Sequence, residues 1–193
     1  MPERKGHLIV VSGPSGVGKS TLIERILREE KNLLFSVSYT TRHKRQNEMH
    51  GKDYYFTDEP TFQKMVLDNG FLEWESVHGY LYGTPIKEIS EPIKEGRDVI
   101  LDIDVKGALT VKEKCSAACL IFIEPPSVDE LIRRLSLRGE KEIEKRMQRV
   151  REEMEKRPLF TFTVRNDTLD TAYQQFQSII VSLGRQENGK NNC

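Results

Sequence analysis

The clearest chemistry in the chain sits in Gly13-Pro14-Ser15-Gly16-Val17-Gly18-Lys19-Ser20-Thr21. Gly13, Gly18, Lys19 and Ser20 meet the spacing G-x-x-x-x-G-K-S. In that pattern glycines let backbone N–H groups turn onto phosphate oxygens, the lysine reaches the β- and γ-phosphates, and the serine hydroxyl is placed to ligate Mg²⁺. An ordinary strand-to-helix turn needs glycine but neither Lys19 nor Ser20. The loop therefore reads as a nucleoside triphosphate site and leaves the acceptor of any transfer open.

Such a loop works only between a buried strand and the N-terminus of a helix, whose positive dipole end adds to the anion site. Both flanks are present. Leu8 to Val11 is a short apolar run, and Leu22, Ile23, Ile26 and Leu27 form a helical stripe with Glu24, Arg25, Arg28 and Glu29 off it. Val99-Ile100-Leu101-Asp102-Ile103-Asp104 and Cys119-Leu120-Ile121-Phe122-Ile123 repeat the buried-strand pattern. Helices are predicted over about Val105 to Lys114, Val128 to Arg138, Lys141 to Lys156 and Leu169 to Leu183, with a last strand at Phe162-Thr163-Val164. Strands alternating with helices predict a parallel sheet covered on both faces, with ligands outside the carboxyl ends of the strands. Asp102 ends one such strand, which suits it as the acidic partner of Ser20 at a Mg²⁺ site, directly or through water.

The stretch from about Ser36 to Pro85 breaks this rhythm. Leu34 to Tyr39 alternates like a strand, Thr40 to Asp53 is polar and charge-rich, Tyr54-Tyr55-Phe56 and Phe71 to Glu75 extend, and Glu59 to Asn69 is helical with Thr57 or Asp58 as N-cap. Gly79 to Pro85 is turn-rich, and Pro85 to Glu95 follows as a helix ending at Gly96. A small β-rich insertion is expected here, with room for a second substrate between it and the core.

The whole chain excludes several classes. Its 193 residues suit one substantial core. Charged residues make up 31% and balance to a formal net charge of zero, so no overall basic field argues for nucleic acid or an anionic membrane. No apolar run approaches the ~20 residues of a membrane span. Cys115, Cys119 and Cys193 are odd in number; they predict small hydrophobes in a reducing compartment, with no disulfide framework and no metal site. A cytoplasmic protein with no obligate protein partner is the expectation.

The segment Thr40-Thr41-Arg42-His43-Lys44-Arg45-Gln46-Asn47-Glu48-Met49-His50-Gly51-Lys52-Asp53-Tyr54-Tyr55-Phe56 closely resembles the signature of the guanylate kinase family. It has Thr-Thr-Arg, a basic residue three on, an acid three later, a Gly three after that, then Tyr-x-Phe. The resemblance continues through Phe71-Leu72-Glu73-Trp74, Tyr82-Gly83-Thr84, Leu101-Asp102-Ile103-Asp104-Val105-Lys106-Gly107 and Val164-Arg165-Asn166-Asp167, and so spans Leu8 to about Leu183. Thr57 departs from the family's usual residue, and only six residues, Glu140 to Lys145, separate Gly139 from Arg146, about three fewer than family lids usually have.

The resemblance implies a single domain over 1–193 of P-loop NTPase type: a parallel sheet flanked by helices, with a core at about 1–35 and 86–183. It adds a GMP-binding lobe at about 36–85, a short helical lid at about 136–148 and a frayed tail at 184–193. The implied reaction moves the γ-phosphoryl group of MgATP to GMP, and to dGMP, giving ADP and GDP. Arg42, Arg45 and Tyr54 would hold the acceptor phosphate, two guanidinium forks and a phenol matching a dianion, with Tyr82 near it. Glu73 matches the residue that reads the guanine edge, where one carboxylate accepts from N1–H and the 2-amino group; adenine offers an acceptor there instead. Ser38 and Thr84 supply hydroxyls to the base, and Asp104 joins this set. Lys19, Arg42, Arg134, Arg138 and Arg146 would neutralise charge during transfer. Two rivals remain open: an interaction module of the same family that has lost catalysis, whose expected sign is a broken phosphate loop, and a P-loop kinase for another acceptor.

Overall fold

A computed structural model of the chain describes residues 5–77, 79–137 and 143–185, with side chains throughout except those of Val128, residues 134–137 and 143–146, and Arg185. The elements run β1 (Leu8–Ser12), α1 (Lys19–Glu29), β2 (Leu33–Phe35), β3 (Tyr39–Thr40), β4 (Tyr55–Phe56), α2 (Glu59–Leu67), β5 (Phe71–Val77), β6 (Tyr80–Pro85), α3 (Lys87–Lys94), β7 (Asp98–Asp102), α4 (Val105–Lys114), β8 (Cys119–Glu124), α5 (Val128–Leu137), α6 (Ile143–Glu155), β9 (Phe162–Arg165) and α7 (Leu169–Arg185).

Five strands form one sheet in the order β2-β7-β1-β8-β9, with every neighbouring pair parallel. Parallel neighbours need crossover connections, and these put helices on both faces, which is why β1, β7 and β8 are apolar on both sides. Alternate residues serve opposite layers. Ile9, Val11, Ile100, Ile121 and Ile123 pack with Leu22 and Ile26 of α1 and Phe176 of α7. Leu8, Val10, Val99, Leu101 and Phe122 pack with Ile89 and Ile93 of α3 and Ala108 and Val111 of α4. Val11 is in register with both Asp102 and Ile121. The loop after β1 and the carboxylate that ends β7 thus leave the sheet side by side, at its carboxyl edge.

The second sheet has four strands in the order β4-β3-β6-β5; β3 and β4 run parallel and the other pairs antiparallel. The single strand expected over Leu34 to Tyr39 is instead divided between the two sheets. Ser36 N still donates to Ile100 O at 3.1 Å in the first sheet, whereas Val37 N turns to Glu88 Oε2 of α3 at 3.2 Å and Tyr55 N donates to Ser38 O of the second at 2.9 Å. The expected turn region at Gly79 to Pro85 is a strand, β6. Gly83 within it lies against the rings of Phe62 and Phe71, both 2.9 Å from where a Cβ would stand, so its glycine marks close packing rather than a turn. Because Pro85 ends β6, α3 begins two residues later than its sequence suggested. Asp58 caps α2 by accepting from Thr61 N, and Asn69, not Gly70, takes the left-handed position after it (φ 52°).

Cys119 is a free, buried thiol whose pKa burial pushes up to about 12, as expected of a small hydrophobe. Cys115 departs from that expectation in being disulfide-bonded. No helix among the described residues is long and apolar enough to cross a membrane.

Candidate active site

The loop from Gly13 to Gly18 holds its shape through backbone that only glycine adopts easily. Gly13, Gly16 and Gly18 have φ of 136°, 83° and 99°, and a Cβ on Gly13 would collide with Ile123 O of β8. Val17 is fully buried in the core beside α1 and α7. Its side chain anchors the loop, and its carbonyl accepts from the buried Asn166 Nδ2 at 2.7 Å. Pro14 O accepts from Val17 N at 3.3 Å, Ser15 is exposed, and Ser20 and Thr21 occupy the exposed first turn of α1.

Lys19 Nζ donates to Gly13 O at 2.8 Å and to Pro14 O at 3.4 Å, and lies 4.0 Å from Asp102 Oδ1. Ser20 Oγ donates to Asp102 Oδ2 at 3.4 Å. Burial pushes the Asp102 carboxyl upward while Lys19 and Ser20 pull it back. These are hard oxygen donors beside a loop built to take phosphate. Mg²⁺ is commonly held by one or two protein oxygens together with substrate phosphates, so Ser20 and Asp102 fit it. A cluster of three or more metal-ligating side chains is absent among the described residues.

A second charged group lies on the other sheet. Arg42 Nη1 and Nη2 donate to Glu48 Oε2 and Oε1 at 3.0 and 2.8 Å, Nη1 also reaches His43 O at 2.8 Å, and Nε donates to Tyr82 OH at 3.2 Å. The guanidinium stands 5.4 Å from the Tyr54 ring centroid, and the Tyr54 and Tyr82 rings meet edge to face at 5.8 Å. Glu48 strengthens the Arg42 charge, and Arg42 in turn holds the Glu48 carboxyl below the usual carboxylate range. Burial pushes the Tyr54 phenol up to about 12, and the Asp102 carboxylate adds to that rise. The sequence had thus singled out three residues that do meet, Arg42, Tyr54 and Tyr82. Arg45 joins them through its backbone N, 2.8 Å from Glu48 Oε2, with its side chain exposed.

Glu73 and Thr84 form a third group. Both are buried, and Thr84 Oγ1 donates to Glu73 Oε1. Burial pushes the Glu73 carboxyl up to about 7, against the pull of the Thr84 hydroxyl, and the nearby Asp104 charge adds to the rise. Asp104 caps α4 by accepting from Gly107 N at 2.8 Å and lies 3.7 Å from Arg149 Nη2. Ser38 is half-buried next to β3. Arg138 lies outside the described residues, and so do the side chains of Arg134 in α5 and Arg146 in α6.

Sequence reasoning gave no role to Glu48, Asn166 or Arg149. Glu48 is the acid of the signature quoted above, six residues from Arg42, but the signature does not say that the two side chains pair. Asn166 is 149 residues from Val17, so only the fold joins them. Arg149 is one turn beyond Arg146 on a charge-dense helix, where composition cannot distinguish it from its neighbours.

A family model for guanylate kinase matches residues 5–183. Guanylate kinase from Caldanaerobacter subterraneus subsp. tengcongensis is 42% identical over 183 residues, covering 93% of this chain and 89% of the relative. The guanylate kinase of Carboxydothermus hydrogenoformans is 44% identical over 181 residues, with 92% and 89% covered. Among solved structures, the crystal structure of guanylate kinase from Anaplasma phagocytophilum matches with a TM-score of 0.79 at 29% identity, covering 94% of this chain and 88% of that one.

Proposed function

Since the chain belongs to the guanylate kinase family of ATP-dependent nucleoside monophosphate kinases, we propose that it transfers the γ-phosphoryl group of ATP to GMP, and to dGMP, releasing ADP and GDP. The observation that carries the acceptor assignment is on β6. Tyr82 and Thr84 are two residues apart on that strand and so share a face; Tyr82 accepts from Arg42, and Thr84 donates to Glu73. Phosphate-binding and base-reading groups are thereby set side by side along one strand, as a nucleoside monophosphate requires.

On the donor side, the backbone N–H groups of Gly13 to Gly18 and the Lys19 ammonium receive the ATP phosphates, with Ser20 and Thr21 at the helix N-terminus behind them. Ser20 and Asp102 would hold Mg²⁺, which when bound neutralises charge on the phosphate oxygens. On the acceptor side, Arg42, Arg45, Tyr54 and Tyr82 take the GMP phosphate. The ionised Glu73 accepts from guanine N1–H and the 2-amino group, with Ser38, Thr84 and Asp104 completing the base site. The attacking phosphate oxygen is already anionic, so no side chain has to remove a proton. Arg134, Arg138 and Arg146 act with Lys19 and Arg42 on the charge of the transferring group. In this reading residues 36–85 form the GMP lobe, 136–148 the lid and the remainder the core, in a cytoplasmic enzyme acting on small molecules without an obligate protein partner.

A coupled ADP-release assay across GMP, dGMP, AMP, dTMP and UMP tests the proposal. Turnover with GMP and dGMP far above the others is expected. Preference for another acceptor would overturn the base assignment, and ADP release with none of them would favour an interaction module.

A further inference from the structure

Strand β5 packs against α4. Lys106 Nζ pairs with Glu75 Oε2 at 2.7 Å, and Lys114, at the far end, donates to Leu72 O at 2.6 Å. Between these struts the Glu73 carboxylate faces Gly107. A Cβ built on Gly107 would stand 2.9 Å from Glu73 Oε2, 3.4 Å from its Cδ and 3.5 Å from Ile103 Cδ1. Gly107 sits within α4 and is not among the residues with positive φ, so its backbone gives no reason for a glycine. Inside a helix, glycine is the poorest choice after proline. What it provides here is space: Thr84 holds one oxygen of Glu73, and the other rests against bare helix backbone.

We infer that Gly107 is a positioning residue for base recognition, its missing side chain forming the wall of the seat that orients the Glu73 carboxylate. The inference rests on the reading of Glu73 as the base reader. A methyl group at position 107 meets the far end of a side chain rather than backbone. The fold therefore accommodates it, and the carboxylate moves.

The test is Gly107→Ala in the full chain, with GMP and ATP varied separately, thermal melting in parallel, and Glu73→Gln as companion. The expected result is a rise of about tenfold or more in KM for GMP, with kcat at saturating GMP and KM for ATP within about twofold and no fall in Tm, since alanine is the better helix former. An unchanged KM for GMP overturns the inference. So does a rise in both KM values together with a lowered Tm, the signature of a merely structural glycine. If Glu73→Gln leaves the preference for GMP over AMP intact, the underlying reading of Glu73 fails. If Glu73→Gln loses that preference while Gly107→Ala behaves normally, only the role of Gly107 fails.

Discussion

The carboxylate of Glu48 takes both terminal nitrogens of Arg42, at 3.0 and 2.8 Å, in a fork-to-fork ion pair whose side chains are 12% and 16% exposed. With Tyr82 OH and His43 O as further acceptors, four of the five guanidinium N–H groups are engaged among the described residues. Arg42 is thus fixed before any phosphate arrives. Glu48→Ala should release it. Hydrogen bonds to charged groups contribute about 1.5–3 kcal/mol, so kcat/KM for GMP is expected to fall roughly ten- to hundredfold while KM for ATP holds. Steady-state kinetics check this, and an unchanged kcat/KM for GMP would remove Glu48 from the acceptor site.

Glu73 sets a pH dependence whose sign can be worked out. Its carboxyl, raised to about 7 mainly by burial, keeps a proton in the folded state over a window where the unfolded chain has lost it. It therefore contributes stability that is present at acid pH and lost as pH rises through about 7. Guanine needs the opposite form, because only the carboxylate accepts from both N1–H and the 2-amino group. Log kcat/KM for GMP should climb with pH up to a break near 7. The substrate's own phosphate titrates near 6, so the discriminating measurement is the profile of Glu73→Gln, in which the upper break should vanish and the lower one remain.

Asn166 links the end of β9 to the phosphate loop. Its Nδ2 donates to Val17 O at 2.7 Å, its own N donates to Glu124 O at 2.9 Å, and it fills the space beside Gly18, where a Cβ would stand 2.5 Å from Nδ2. Asn166→Ala leaves a buried carbonyl unsatisfied, at a cost of about 1–3 kcal/mol. In a chain of this size that lowers Tm by roughly 2–4 °C per kcal/mol. KM for ATP should rise and KM for GMP should not; equal changes in the two would place the effect outside the loop.

How legible each part was depended on the range of the interaction behind it. Leu8 to Val11 and Val99 to Asp102 read as buried strands because a parallel sheet demands apolar residues on both faces. The phosphate loop was legible because strand, glycines, lysine and helix are contiguous. Strand β6 was not, because Gly83 and Pro85 carry turn chemistry locally while their reason lies in Phe62 and Phe71. The division of the strand expected over Leu34 to Tyr39 was hidden for a similar reason: Ile100 and Glu88, which draw its two halves apart, are remote in sequence. Glu73 was identified by its resemblance to a family position, but its raised pKa comes from its burial, with the Asp104 charge adding to it and the Thr84 hydroxyl opposing it, and a strand pattern encodes none of these.

Lys19 is the residue on which the donor half turns. Its ammonium bridges the loop by reaching Gly13 O and Pro14 O, and it offsets the buried charge of Asp102 from 4.0 Å. Lys19→Ala removes both effects: the loop loses its internal tie, and the Asp102 carboxyl, without its cation, moves further upward. Loss of one preorganised cation at a transferring phosphoryl group costs about 10²- to 10³-fold in kcat. The acceptor groups on β5 and β6 and in the loop after β3 make none of these contacts, so calorimetric GMP binding should stay within about twofold of the parent, a difference of less than about 0.5 kcal/mol. A near-normal kcat would refute the donor role of Lys19. A large loss of GMP binding would show that the two halves of the site are coupled through Asp102 rather than independent.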